Sequence, residues 1–365
     1  MGQRLVTFGE VMGRITPVGA LRFAQSFPGA VNYAYGGGEV NVAVAVASLG
    51  GSASFVTALP RNPPADGCIR TLRGLGVGVD DIVRTSHGRL GLYYLEPGAN
   101  QRASVVTYDR DGAAVALAEP SVYDWPRIFA GASWFHVTGI TPAISRQAAQ
   151  AALEAVRNAH ECGVSVSCDL NFRKKLWNWE PGIKARDLAE RTMRRLLEHV
   201  DLVIANEEDA EMVLGIKAAG ADVEAGKLDA RTYAEVARTI CAQFGGVSRV
   251  AVTLRESVSA DHNNWGGMLY DRASDRCYFA PLDADGAYRP YEIRDIVDRV
   301  GGGDSFAGGL LYALMDEALC DPQTAIRFAV ANSCLKHSIL GDFNFVSRAE
   351  VEALMGGSGT GRVVR

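Results

Sequence analysis

Between residues 132 and 254 short apolar runs alternate with longer segments of helical periodicity, and this rhythm restricts the fold more than any other feature. The runs 133–137, 164–169, 201–205 and 249–254 read as strands, and the segments 145–161, 188–199 and 232–244 between them read as helices. In the first of these helices Ala148, Ala152, Ala155 and Ala159 recur on one side. Strands joined through helices run parallel, because a tight hairpin joins only antiparallel neighbours. A parallel sheet needs helices on both faces, so the expected fold is a three-layer α/β/α sandwich around a mostly parallel central sheet. Such sheets hold ligands beyond the carboxyl ends of their strands. The candidate stretches are therefore DLNFR at 169–173, NEED at 206–209 and TLR at 253–255.

The N-terminal third is more mixed. Residues 5–8 and 53–59 read as strands and 65–74 as a helix. Three glycines at 36–38 precede EVNVAVAVASLG, where Val40, Val44 and Ala47 share a helical face and Gly50 stands at a plausible end. Runs at 91–95 and 103–108, rich in Val and Tyr, are suited to antiparallel pairing. No long linker, repeat or low-complexity tract divides the 365 residues. One domain is expected over 1–355, with 356–365 as a loose tail.

Composition excludes several functions. At 48% hydrophobic and 22% charged residues the chain is not a disordered one. Lys+Arg 37 against Asp+Glu 42 leaves −5, so no general basic field exists for nucleic acid or an anionic membrane. No apolar run reaches the ~18 residues of a membrane span. The opening MGQRLVTFGE lacks the apolar core of a secretory signal, and the seven cysteines have no CxxC spacing. Free thiols in the cytoplasm are the expectation. The six histidines are scattered, with no HxH or HxxxH spacing for a metal.

The most chemically pointed stretch is DRVGGGDSF at 298–306, running into the apolar AGGLLYALM. Three glycines at a helix start let consecutive backbone amides face one point, and the helix dipole favours an anion there. A carboxylate in such a place, Asp304, makes sense if it takes a proton from an attacking hydroxyl while the amides stabilise a transferring phosphoryl group. The plainer reading is an Asp cap on a glycine-rich turn. Neither GxxxxGK[ST] nor GxGxxG occurs, so a phosphate site must be built another way, and this turn is the only strong candidate.

The pair GGGEVNVAVAVASLGGSASFVTAL and DRVGGGDSFAGGLLYAL resembles the two motifs of the ribokinase-like (phosphofructokinase-B-type) sugar kinases. The resemblance extends over nearly the whole chain and is greatest to the 2-keto-3-deoxygluconate kinases. It rests there on GLYYLEPGANQRASVVTYDRDGAA, CDLNFRKKLW, NEEDAEMVLG, TLRES and LGDFNFVS. It implies the ribokinase-like fold with a small β lid from about 12–35 and 91–116. It also implies ATP-dependent phosphorylation of the terminal hydroxyl of 2-keto-3-deoxygluconate with Mg²⁺, leaving a monovalent cation and a homo-oligomer open. Asp304 would be the base, and Gly301, Gly302 and Gly303 the anion hole. Gly37, Tyr93, Tyr108 and Asp342 would contact the sugar acid, with Arg110 and Arg173 on its carboxylate, a task suited to the forked guanidinium. Asn206, Thr253, Arg255 and Gly302 would border the nucleotide, and Asn206 with Asp209 would place Mg²⁺.

Each residue has a plainer reading. The tyrosines could be half-buried strand residues, Arg173-Lys174-Lys175 a solvated run, and NEED a set of acids at a helix start. Asp209 stands where the family carries Glu, one methylene longer. The stretch after Thr253 departs from the family's Gly-rich nucleotide loop, and Asp111-Gly112-Ala113 departs near the carboxylate side. The alternatives are a kinase for another sugar or sugar acid, such as fructose, and a non-catalytic regulator that binds a sugar acid.

Overall fold

The computed structural model describes residues 3–216 and 230–357. The strands are β1 (Arg4–Phe8), β2 (Met12–Pro17), β3 (Val31–Gly36), β4 (Ser52–Pro60), β5 (Ile82–Thr85), β6 (Gly91–Glu96), β7 (Val105–Asp109) and β8 (Trp134–Thr138). They continue as β9 (Ser165–Asp169), β10 (Leu202–Ala205), β11 (Arg249–Ser257), β12 (Asn263–Asp271), β13 (Arg276–Ala280) and β14 (Tyr291–Ile293). The central sheet runs β13-β12-β11-β10-β9-β8-β1-β4-β5, with β14 also on β12. From β11 to β5 every pairing is parallel, as the strand–helix rhythm requires.

Alternation along each strand divides the core in two. On β1, Leu5 packs with the helices Gly38–Ser48, Gly302–Met315 and Pro322–Lys336, while Val6 and Phe8 face the helices Arg146–Glu161 and Ala185–Leu197. On β10, Leu202 and Ile204 face the first layer and Val203 and Ala205 the second. Both faces being covered, these strands carry near-continuous apolar runs, broken on β1 by the buried Thr7.

The antiparallel edge was not legible in the sequence. β12 pairs with β11, β13 and β14 through the run NNWGGMLYD, whose two glycines break the strand pattern. Packing explains them. A Cβ on Gly267 would press on Phe306 and Val330, and one on Gly266 on the Tyr288 ring.

A second sheet, β3-β2-β6-β7, is formed by Met12–Pro17, Val31–Gly36, Gly91–Glu96 and Val105–Asp109, the last two antiparallel as expected. It is pinned to the main body by Arg14, which is buried and ion-paired to Asp342 at 2.7 Å and Asp298 at 2.5 Å. Of the expected tail, 358–365 lie outside the described residues. No described helix is long and apolar enough to cross a membrane.

Candidate active site

The carboxyl ends of β8 to β11, the two glycine-rich turns and the small sheet surround a cavity of about 390 Å³. Its wall includes Asp304 with Gly301, Gly302 and Gly303, and also Gly37, Tyr93, Tyr108, Arg173, Asn206, Asp209, Thr253, Arg255 and Asp342. Stretches spread over more than 300 positions thus meet at one place.

The glycine turn owes its shape to one residue. Gly301 is left-handed, with φ 82°, and a Cβ there would run into the Asp342 carbonyl. It is the N-cap of the helix Gly302–Met315, whose first amides therefore open toward the cavity. Gly303 has open space where its side chain would be.

Asp304 follows in the first turn. Its Oδ2 accepts from Asn41 Nδ2 at 2.6 Å. Burial pushes its carboxyl up to about 7, the hydrogen bond from Asn41 works against that rise, and the charges of Asp342 and Glu39 add to it. A carboxylate of that basicity is suited to receive a proton near neutral pH. Asn41 was not singled out in the sequence. Its signal was a lone amide within EVNVAVAVAS, an otherwise apolar helix.

Glu39, fully buried, organises the neighbouring strand end. Its Oε1 accepts from the Thr138 amide at 2.9 Å, the Thr138 hydroxyl at 2.8 Å and the Thr141 hydroxyl at 2.6 Å. Gly37 is extended, and a Cβ on it would meet the Glu10 carbonyl, so chain packing rather than a ligand demands glycine there.

Arg110 departs from its expected place. Its guanidinium is paired with Glu10, both side chains are buried, and Arg110 is absent from the cavity wall. Glu10 explains the commitment: burial raises its carboxyl, and the Arg110 charge and hydrogen bond offset part of that cost. Arg173 does face the cavity, and its charge favours the ionised forms of Asp304 and Asp169. Arg299, unassigned in the sequence, joins Arg255 on the wall.

Asp342 also faces the cavity, with its Oδ1 engaged by Arg14 at 2.7 Å and by the Tyr93 hydroxyl at 2.5 Å. Tyr93 is buried, whereas Tyr108 is 42% exposed and lies across β6 and β7 from it. Asn206 and Asp209 form a reciprocal cap at the start of the helix Glu207–Leu214: the Asp209 amide donates to Asn206 Oδ1 at 2.9 Å, and the Asn206 amide to Asp209 Oδ2 at 3.4 Å. Asp209 Oδ1 also accepts from the Phe172 amide at 3.0 Å. The helix-start reading of NEED is thus part of the answer. Asp169, at the end of β9, is raised well above the usual carboxylate range by burial and then by Asp209 and Asp304.

Comparison with known proteins identifies the family. The profile of the pfkB family carbohydrate kinases matches residues 3–254. A 2-dehydro-3-deoxygalactonokinase of Haloferax volcanii is 32% identical over 362 residues, covering 99% of both chains. The crystal structure of a 2-dehydro-3-deoxygluconokinase from Thermotoga maritima superposes with a TM-score of 0.86 at 41% identity, over 97% of this chain and 100% of the other. Fructokinase-1 of Oryza sativa subsp. japonica is 28% identical over 337 residues, 90% of each chain.

Proposed function

The chain belongs to the pfkB family of carbohydrate kinases, and we propose that it phosphorylates the terminal hydroxyl of 2-keto-3-deoxygluconate from ATP. The observation that carries the chemistry is Asp304, raised to about 7 beside the open amides of the Gly301 turn. The substrate hydroxyl gives its proton to Asp304 as its oxygen forms the new bond to the γ-phosphorus. The bond from that phosphorus to the bridging oxygen breaks, and ADP leaves with the electron pair. Amides of Gly302 and Gly303 face the charge that develops on the phosphoryl oxygens. Asn41 orients the carboxylate.

An acid rather than a neutral sugar is favoured by Arg173, an arginine on the wall beside Asp304 and Asp169. The names of the Haloferax and Thermotoga relatives point the same way. Thr253 and Arg255, alternate residues of β11 and hence on one face of it, suit the nucleotide side.

Mg²⁺ would be held here through water rather than by a direct ligand set: Asp169, Asp209 and Asp304 line the same wall as Arg173, and among the described residues no group of three His, Cys, Asp or Glu is placed to hold a metal directly. Asn206 and Asp209 would hold it through water, since the Asp209 oxygens already accept backbone amides. When bound, it neutralises phosphate charge. The small sheet would act as a lid that keeps water from competing as acceptor.

A coupled assay of ADP release with 2-keto-3-deoxygluconate, 2-keto-3-deoxygalactonate and fructose tests this reading. The highest kcat/KM is expected on a sugar acid. Preference for fructose would replace the sugar-acid assignment with a fructokinase one.

A further inference from the structure

Lys336 closes the helix Pro322–Lys336, and among the described residues no other lysine or arginine is so completely enclosed, at 0% exposure. Its Nζ donates to the Ile339 carbonyl at 3.0 Å and so closes the turn that leads to Gly341 and Asp342. That turn interlocks with the segment before the glycine turn. Asp298 Oδ2 accepts from the Gly341 amide and Asp298 Oδ1 from the Val300 amide, both at 3.0 Å. The His337 carbonyl accepts from the Val297 amide at 2.9 Å, and the Asp342 carbonyl lies against the Gly301 α-carbon. The two segments together form the floor under the amides that face the cavity.

Charges of both signs meet in this floor, with Arg299 on the cavity side. Asp298 and Asp342 are negative, and Arg14, ion-paired to both, supplies one positive charge. Lys336 supplies the second. Burial, with the nearby Arg14 charge adding to it, holds its ammonium below the ordinary lysine range, while the charges of Asp298, Asp342 and Asp304 favour it. Without Lys336 the floor would lose a buried positive charge beneath a site that must attract phosphate.

We propose that Lys336 is a positioning residue whose fixed ammonium provides the positive charge a bound monovalent cation would otherwise bring, so that this enzyme works without one. The Ile339 carbonyl, an oxygen of the kind that hard cations take as a ligand, is already engaged by the ammonium. The inference rests on the kinase reading above. Its rival is a lysine that merely caps a helix C-terminus, with no bearing on the reaction.

The test compares wild type in choline chloride with wild type in lithium, sodium, potassium and caesium chloride at equal ionic strength. Turnover, and calorimetric affinity for a non-hydrolysable ATP analogue with Mg²⁺, should be the same in all of them. In choline, Lys336→Met should lower kcat by about 10²-fold with a smaller change in sugar KM. In Lys336→Ala, potassium or ammonium ions should restore part of the loss by entering the vacated space. Wild-type turnover or nucleotide affinity that depends on potassium would overturn the proposal. So would a folded Lys336→Met enzyme with wild-type kinetics, which is the outcome expected of a helix cap. If neither variant folds, the wild-type salt series decides. Should no sugar be phosphorylated at all, the functional reading fails, and the dependence of nucleotide affinity on the salt still judges this inference.

Discussion

Asp304 is held in a place that suits its chemistry and opposes its charge. Its carboxyl near 7 means that the folded protein binds a proton there which the unfolded chain releases at ordinary carboxylate pH. Stability should therefore fall as pH rises from about 4 to about 7. Asp304→Asn removes that cost, so its melting temperature should exceed wild type at pH 8 and converge with it near pH 4. In kinetics the order reverses. The kcat of the wild type should rise with pH through about 7, and Asp304→Asn should lower it by about 10²–10⁴-fold and lose the pH dependence.

The two arginines read alike in the sequence should now behave differently. Arg173→Ala should raise KM for the sugar acid by about one to two orders of magnitude, with lysine restoring part of it and little effect on a neutral sugar. Arg110→Ala leaves Glu10 buried without its partner. It should cost about 3–5 kcal/mol in denaturant unfolding, whatever the substrate. Asp304 was legible because its three glycines precede it directly. The fate of Arg110 was not, because Glu10 lies a hundred residues away in sequence.

At the scale of elements, the anion turn depends on where its left-handed residue falls. The sequence marks three consecutive glycines as equivalent, and the structure separates them. Gly301→Ala forces a side chain into left-handed backbone at about 1–2 kcal/mol and also meets the Asp342 carbonyl. It should lower both stability and nucleotide affinity. Gly303→Ala should leave the unfolding midpoint unchanged while weakening nucleotide binding, because its side chain would enter open cavity space. Thermal unfolding with and without nucleotide separates the two effects. Helix and strand periods identified the parallel units, since the covered strands are buried on both faces and largely apolar, with Thr7, His136 and Ser167 as buried polar exceptions. β12 escaped because Gly266 and Gly267 answer to a tyrosine ring and to two helices that come close only in the folded chain.

Across the whole molecule, the small sheet is joined to the anion turn through Arg14, which lies 284 positions from Asp298 and 328 from Asp342. Arg14→Met leaves two buried carboxylates short of a partner and should destabilise the fold by about 3–5 kcal/mol. Hydrogen exchange in β2, β3, β6 and β7 should accelerate more than in β8 to β10, since Arg14 ties the small sheet to Asp298 and Asp342 and its loss leaves the Tyr93 hydroxyl on Asp342 to hold it alone there. Equal acceleration everywhere would show that the sheets open as one unit. The sequence by itself determined the parallel α/β architecture, the glycine turn with its carboxylate, and the resemblance to sugar kinases. Each of these is written in adjacent residues or in a local period. Only the tertiary structure decided which charges remain available to a ligand. Arg110, Arg14 and Lys336 are claimed by Glu10, by Asp298 and Asp342, and by the Ile339 turn, whereas Arg173 is left facing the cavity. A buried charge is governed by the partner that desolvation forces on it, and for Arg14 and Arg110 that partner comes from distant parts of the chain.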